Sequence, residues 1–295
     1  MGNLVRCISD DGTLLIMACD TTDMVQTAYE IHGTSKVCTA ALGRLLTAGA
    51  MMGSMLKGKN DTLTLKINGG GPAGSVIAVA DSDCHVKGYI VDGKVELPLN
   101  NKGKLDVGGA VGKNGFVTVI KDLGLKEPFV GQVPIISGEI AEDITAYFAT
   151  SEQTPSVCGL GVLVAQDKSV IKAGGFLIQL LPTAYDDVID KVEKDIQGIA
   201  SVTKMLTDGL TPYEICKKVL PSFNIEQLDE MYPEYKCDCS VKRVQNALIA
   251  AGKTELLDMA NDPVTEVKCQ FCNKTYNFTS KDILKLIDDS TGENE

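Results

Sequence analysis

The chain has 295 residues, more than one average domain, so two domains joined by a linker are the natural expectation. At 44 % hydrophobic and 23 % charged residues it has the composition of a folded globular protein. Its 28 basic residues against 39 acidic ones give a net charge of −11, which argues against nucleic acid as a main partner, because that binding rests on neutralising phosphates.

Met1-Gly2-Asn3-Leu4-Val5-Arg6 opens into a strand pattern, so no secretory leader is expected. No apolar run spans a bilayer; the best candidate, Leu45 to Leu56, is too short, and no membrane partner is expected. Ten cysteines without an export signal read as reduced thiols and a cytoplasmic protein.

The first part alternates strands and helices. Val5–Ser9 and Thr13–Ala18 read as a hairpin around Asp10-Asp11-Gly12, followed by a short helix over Thr22 to His32. Ser35 to Leu56 reads as a longer helix, with Val37, Ala41, Leu45, Ala48 and Met52 on one face. Strands follow over Thr62–Ile67, Ser75–Asp81, His85–Val91 and Phe116–Lys121. A helix is predicted over Glu139 to Ser151, and a second hairpin over Val157–Ala165 and Ser169–Leu181. Hairpins outnumber crossovers, so residues 1–182 are expected to form an α+β core.

Beyond Pro182 the character changes. Tyr185 to Leu206 is amphipathic, with Val188, Val192, Ile196, Ile199, Val202 and Leu206 on its apolar face. Thr211-Pro212-Tyr213-Glu214 is a capping box with Pro at the first helical position, and Asn224 to Met231 reads as a third, weaker helix. Residues 183–236 are therefore expected to be a helical linker that folds only by lying on something else. Residues 237–295 hold predicted helices at Val241–Ala251 and Glu255–Ala260, a strand pair around Thr275–Phe278, and a capped helix from Ser280. A module this small, with few apolar residues, rarely stands on a hydrophobic core alone.

Two glycine patterns imitate nucleotide sites. Gly69-Gly70-Gly71-Pro72-Ala73-Gly74 follows a strand, but the next segment, Val76-Ile77-Ala78-Val79, is also a strand pattern where a dinucleotide motif needs a helix. Gly53 to Asn60 misses a P-loop because Asn60 replaces the magnesium-binding hydroxyl. His32 and His85 are the only histidines, and no catalytic constellation presents itself, so an enzyme is not expected. Cys7, Cys19, Cys38, Cys84, Cys158 and Cys216 are scattered singly and read as small buried side chains.

The remaining cysteines are different. Cys237-Asp238-Cys239 is followed after 29 residues by Cys269-Gln270-Phe271-Cys272. Two such pairs a short domain apart can fold into one four-thiolate site, a common ligand set for structural zinc. Thiolates on zinc are also the sulfurs that oxidants attack, and each pair is close enough to close on itself as a disulfide. The alternative is a zinc-ribbon protein that binds nucleic acid or protein partners with a purely structural zinc; the module's 7 Lys+Arg against 10 Asp+Glu speak against its nucleic-acid form.

These cysteine pairs resemble the signature of the redox-regulated 33 kDa heat-shock chaperone family. Thr21-Thr22-Asp23-Met24-Val25, His32-Gly33-Thr34, Ala41-Leu42-Gly43-Arg44, Gly69-Gly70-Gly71-Pro72, Ser151-Glu152-Gln153 and Ala173 to Pro182 are similar to it as well. The resemblance implies an ATP-independent holdase that binds unfolding client proteins under oxidative and heat stress and passes them to ATP-driven foldases. It implies one zinc on Cys237, Cys239, Cys269 and Cys272 in an inactive, reduced monomer. On oxidation it implies disulfides Cys237–Cys239 and Cys269–Cys272, zinc release, loss of structure in the zinc module and linker, and an active homodimer.

Overall fold

The structure is a computed structural model and describes residues 2–292, with side chains through Ile287. Its contacts divide the chain into two compact units, Met1–Lys236 and Cys237–Glu295.

In the first unit, β1 (Leu4–Ser9) and β2 (Leu14–Asp20) form the expected hairpin, and α1 (Thr22–His32) and α2 (Lys36–Gly53) follow. Next come β3 (Thr62–Gly70), β4 (Val76–Asp81), β5 (His85–Ile90), the short α3 (Val107–Val111), β6 (Gly112–Asp122) and β7 (Phe129–Pro134). Helix α4 (Ala141–Thr150) leads to the hairpin of β8 (Ser156–Val164) and β9 (Val170–Leu180). The unit closes with α5 (Asp186–Ile196), α6 (Val202–Thr207), α7 (Pro212–Val219), β10 (Ile225–Met231) and β11 (Glu234–Tyr235). The strands build a five-stranded sheet in the order β10-β1-β2-β9-β8 and a six-stranded sheet in the order β11-β5-β4-β3-β6-β7. The mixed α+β class read from the sequence is the class observed.

Two layers of core follow from strand alternation. On β1 and β2, Leu4, Met17 and Cys19 face a large core built around α2, to which Leu63, Leu65 and Ile67 of β3 also contribute. Alternate residues Val5, Cys7, Leu14, Ile16 and Ala18 face the other way. Along with Phe176 and Ile178 of β9 they are covered by Val188 and Val192 of α5, by Val202, Met205 and Leu206 of α6, and by Ile215, Cys216 and Val219 of α7. The segment 183–236 is thus packed inside the first unit, as the cover of its five-stranded sheet.

The structure differs from the sequence reading in three places. The helix expected across Tyr185–Leu206 is two helices, because Gly198 takes φ +71° between them and Ser201 restarts the chain by accepting from Lys204 N at 3.3 Å. Asn224–Met231 is not a helix. The spacing of Ile225, Leu228 and Met231 imitates one, but the free edge of β1 offers backbone partners, and β10 pairs with it antiparallel across a bulge at Arg6/Cys7. Leu228 is left exposed as a result. The elements α3, β7 and β11 gave no clear pattern in the sequence. Gly69 and Gly71 serve backbone approach: a Cβ on Gly71 would lie 2.4 Å from Ala110 O, and one on Gly69 would lie 2.1 Å from Gly112 O.

The β1–β10 pairing carries a two-point ion pair. Arg6 Nε donates to Asp229 Oδ1 at 2.8 Å and its terminal nitrogen donates to Asp229 Oδ2. The hydrogen bond from Arg6 holds the Asp229 carboxyl below its usual range. A depressed carboxylate stabilises the fold above its unfolded pKa and loses that contribution as pH falls through its folded value. Both side chains are about a third exposed, at 34 % and 40 %, so screening keeps the effect small. Asp229→Asn is expected to cost roughly 0.5–1 kcal/mol at pH 7 in urea unfolding. The difference from the parent should shrink as pH falls below the ordinary aspartate pKa of about 4 and vanish once pH is below the depressed folded value. A deficit that is unchanged in acid would show that the ion pair is not its source.

Candidate metal centre

The second unit contains α8 (Val241–Ala251), α9 (Lys253–Met259), the antiparallel pair β12 (Val264–Lys268) and β13 (Thr275–Thr279), and α10 (Ser280–Gly292). Its core is small: Leu248, Leu256, Tyr276, Phe278, Ile283, Leu286 and Ile287 are the buried apolar residues described there. Asp282 and Thr279 cap α10 reciprocally, with Thr279 N donating to Asp282 Oδ2 at 2.8 Å and Asp282 N donating to Thr279 Oγ1 at 3.3 Å.

Local structure delivers the four thiols. Cys239 stands just before Ser240, whose Oγ accepts from Arg243 N at 3.3 Å and starts α8. Asp238, between the first two cysteines, forms an ion pair with Arg243. Cys269 and Cys272 sit in the turn joining β12 to β13. There Asn273 N donates to Cys269 O at 2.9 Å, Cys269 N donates to Lys274 O at 2.9 Å, and Asn273 takes φ +59°. The sequence singled out Cys237, Cys239, Cys269 and Cys272, and the structure gathers all of them: their sulfurs lie within 4.8 Å of one another. Cys237 Sγ is 3.7 Å from Cys269 Sγ, and Cys239 Sγ is 3.4 Å from Cys272 Sγ.

This donor set fits a tetrahedral metal. Zinc–sulfur bonds of about 2.3 Å place the sulfurs of a regular tetrahedron about 3.8 Å apart, close to the separations found. The protonation of the bare cluster points the same way. Burial opposes ionisation of Cys239, but hydrogen bonds from Tyr276 and the neighbouring thiols outweigh it and bring its pKa down to about 7. Burial, reinforced by thiol neighbours, pushes Cys237 up, and burial also pushes Cys272 up. One thiolate discourages the next, a conflict that a divalent cation among them would remove. Tyr276 went unnoticed in the sequence; its Oη donates to Cys239 Sγ at 3.1 Å, and only the β12–β13 register brings it there.

The six other cysteines lie outside this cluster. Burial pushes Cys84 and Cys158 up to about 12 and raises Cys19 and Cys38 as well, so these thiols are poor nucleophiles. Cys7 of β1 and Cys216 of α7, single in the sequence, are both buried in the apolar cluster between the five-stranded sheet and its cover. His32 and His85 have structural partners: His32 Nε2 lies 3.1 Å from Tyr235 Oη and His85 Nδ1 lies 3.0 Å from Asp81 Oδ2. Among the described residues, no helix is long and apolar enough to cross a membrane.

Fold and site together define a mixed α+β protein with a small C-terminal unit whose four thiols could hold one metal ion. The family model described as Hsp33 protein matches residues 2–279. A 33 kDa chaperonin of Clostridium perfringens is 51 % identical over 288 residues, covering 97 % of this chain and 91 % of the relative. One from Agathobacter rectalis is 51 % identical over 284 residues, covering 96 % and 98 %. The crystal structure of the 33 kDa chaperonin of Thermotoga maritima, titled a heat shock protein 33 homolog, superposes with a TM-score of 0.88 at 36 % identity, covering 98 % of this chain and 99 % of that one. The chain belongs to the Hsp33 family of chaperones.

With so few buried residues, the second unit should be sensitive to each of them. Ile283 is fully buried in α10, and Ile283→Ala is expected to destabilise the unit by about 2–5 kcal/mol. Hydrogen exchange should show the loss over residues 237–292, with Leu4 to Leu181 unchanged; protection lost equally in both regions would mean the two units do not fold independently.

Proposed function

We propose that this chain is a redox-regulated holdase: it binds unfolding proteins without ATP, is held inactive when reduced and zinc-loaded, and is activated by oxidation of its four C-terminal cysteines. The observation that carries this reading is the gathering of four sulfurs within 4.8 Å in a unit with a minimal apolar core. Cys237, Cys239, Cys269 and Cys272 would hold one zinc ion. That ion would supply about 10–16 kcal/mol of the unit's folding free energy.

The rest is done by the chain's own residues. Cys237 with Cys239, and Cys269 with Cys272, each form a disulfide by giving two electrons and two protons to a hydrogen peroxide molecule, which becomes two waters. A disulfide has no thiolate to offer a cation, so the oxidised unit depends on its own small core and melts. The chain runs without a gap from Lys236 into Cys237, so melting begins where β11 and β10 end. Residues 183–236 then peel from the five-stranded sheet and expose Val5, Leu14, Ile16, Phe176 and Ile178, an apolar surface for client segments.

The cover is suited to release. Only Val188 and Val192 are buried on α5, and a cavity of about 150 Å³ lies beneath it, beside Pro155, Val157, Ile178 and Leu180. Ten free thiols suit a reducing compartment, and we place the chain in the cytoplasm. Dimerisation of the oxidised form and transfer of clients to ATP-driven foldases belong to the same reading and rest on family membership.

Aggregation of a heat-unfolding client, measured with reduced and with peroxide-treated protein in the absence of ATP, tests the function. Suppression by the oxidised form alone is expected; equal suppression by both forms would sink the switch. Metal analysis tests the ligands. Cys239→Ser should lose zinc and Cys216→Ser should keep it, and the reverse pattern would overturn the assignment. Val192→Glu places a charge in the apolar seat of α5 and should weaken its docking by about 1–3 kcal/mol. That variant should suppress aggregation while still reduced and zinc-loaded. If it is folded and metal-bound yet inactive, the cover over the sheet is not the gate.

A further inference from the structure

We propose that the cavity at the end of β9, into which the side-chain amide of Gln179 opens, binds a short, neutral, apolar peptide, and that a bound peptide holds α5, the first helix of the cover, against the core. The site itself does not depend on the holdase reading; its consequence for activity rests on that reading.

The cavity has a volume of about 540 Å³. Sites for small ligands commonly measure roughly 300–1,000 Å³. Its walls come from two parts of the first unit. Phe148 of α4, and Met55 just beyond α2, belong to the large core around α2 or pack against it. Ala184 and Ile189 belong to the cover, Ala184 just ahead of α5 and Ile189 on it. Two stretches far apart in sequence, Ser151-Glu152-Gln153 and the run Ala173 to Pro182, also meet here, through Glu152 and Gln153 from one and Gln179 to Pro182 from the other.

One polar side chain in the cavity lacks a partner. Gln179 is only 8 % exposed, yet its side-chain amide makes no hydrogen bond among the described residues. Alternation along β9 puts it on the face of Leu177, toward the core around α2, and not on the covered face of Phe176 and Ile178. Its amide atoms are not sealed in, so the little surface they keep opens into the cavity they line. A buried amide left unpaired carries a desolvation cost that a partner removes. The neighbouring polar groups are already engaged. Glu152 accepts from Lys121 Nζ at 2.6 Å and from Tyr147 Oη, and Thr154 Oγ1 donates to Glu152 O at 3.2 Å.

This lining selects the ligand. Glu152 is the one ionisable side chain among the lining residues, and Lys121 neutralises it, so the cavity offers no cation to a phosphate or carboxylate. A primary amide presents an acceptor oxygen and donor hydrogens side by side. In an extended peptide the N–H and C=O of one residue point to the same side, the pattern by which antiparallel strands exchange two bonds. Gln179 matches that pair at two points, and the apolar walls take the flanking aliphatic side chain. A ligand held between Met55 and Phe148 on one side and Ala184 and Ile189 on the other binds while α5 is seated, so occupancy shifts the cover toward its closed position.

Calorimetric titration of the full, reduced, zinc-loaded chain with acetyl-leucine methylamide tests the site. Saturable binding is expected, weakened about tenfold in Gln179→Leu, which removes two modest hydrogen bonds. The analogue with an ester oxygen in place of the leucine N–H should bind the parent less tightly. Without peptide, Gln179→Leu should be at least as stable as the parent, because it removes an unpartnered polar group. A destabilised variant would show the amide to be satisfied already and would overturn its assignment. Ala184→Leu leaves Gln179 intact, narrows the cavity from the cover side, and should also weaken binding. With peptide at about ten times its dissociation constant, amides over 186–196 should exchange about tenfold more slowly in the parent and no more than about twofold more slowly in Gln179→Leu. No binding, or equal binding by parent and Gln179→Leu, overturns the peptide site. Binding that leaves exchange over 186–196 unchanged overturns the hold on α5. If oxidised protein fails to suppress client aggregation with or without peptide, the holdase reading fails, while titration and exchange still decide the site.

Discussion

The outer face of the five-stranded sheet is apolar, and something must keep water from it. Val5, Leu14, Ile16, Phe176 and Ile178 project there because strand geometry sends alternate residues to opposite faces, and their neighbours are already committed to the core around α2. The cover is built from short helices of 11, 6 and 8 residues, none long enough to be stable alone in water. Cover and sheet therefore stabilise one another, and neither is satisfactory without the other. On the reading proposed above, loss of the cover would leave a contiguous apolar surface on a body that otherwise stays folded.

Such a surface suits a protein that must bind many unrelated unfolded chains. Apolar burial is non-directional and needs no particular partner geometry, so it does not discriminate among clients. On that reading the requirement shifts to control, since the surface would have to be hidden until wanted. Covering it with a segment of the same chain makes the closed state intramolecular and strongly favoured at rest, yet dependent on how well that segment is anchored at its ends. One end of the cover follows β9, and the other runs through β10 and β11 to Cys237.

Where local chemistry decided the outcome, the sequence was readable. The Thr211–Glu214 capping box opens α7 as expected, with Thr211 N donating to Glu214 Oε2 at 2.8 Å, and the hairpin of β8 and β9 follows its alternating pattern. The four-thiol cluster was visible because metal ligands come in close pairs. Asn224–Met231 was misread because its three-residue apolar spacing is a local signal, whereas the edge of β1 that captures it lies more than 200 residues away in sequence. The same holds for Tyr276 at Cys239. Each is set by tertiary register, which no single stretch of sequence contains.

The two units differ in what organises them. The first is built on two extensive apolar clusters, whereas the second has seven described buried apolar residues and four sulfurs within 4.8 Å of one another. On the reading proposed above, a cation shared by those sulfurs would supply the stability that so small a core lacks, so chemistry at the sulfurs would reach the fold of the second unit before it reached the first.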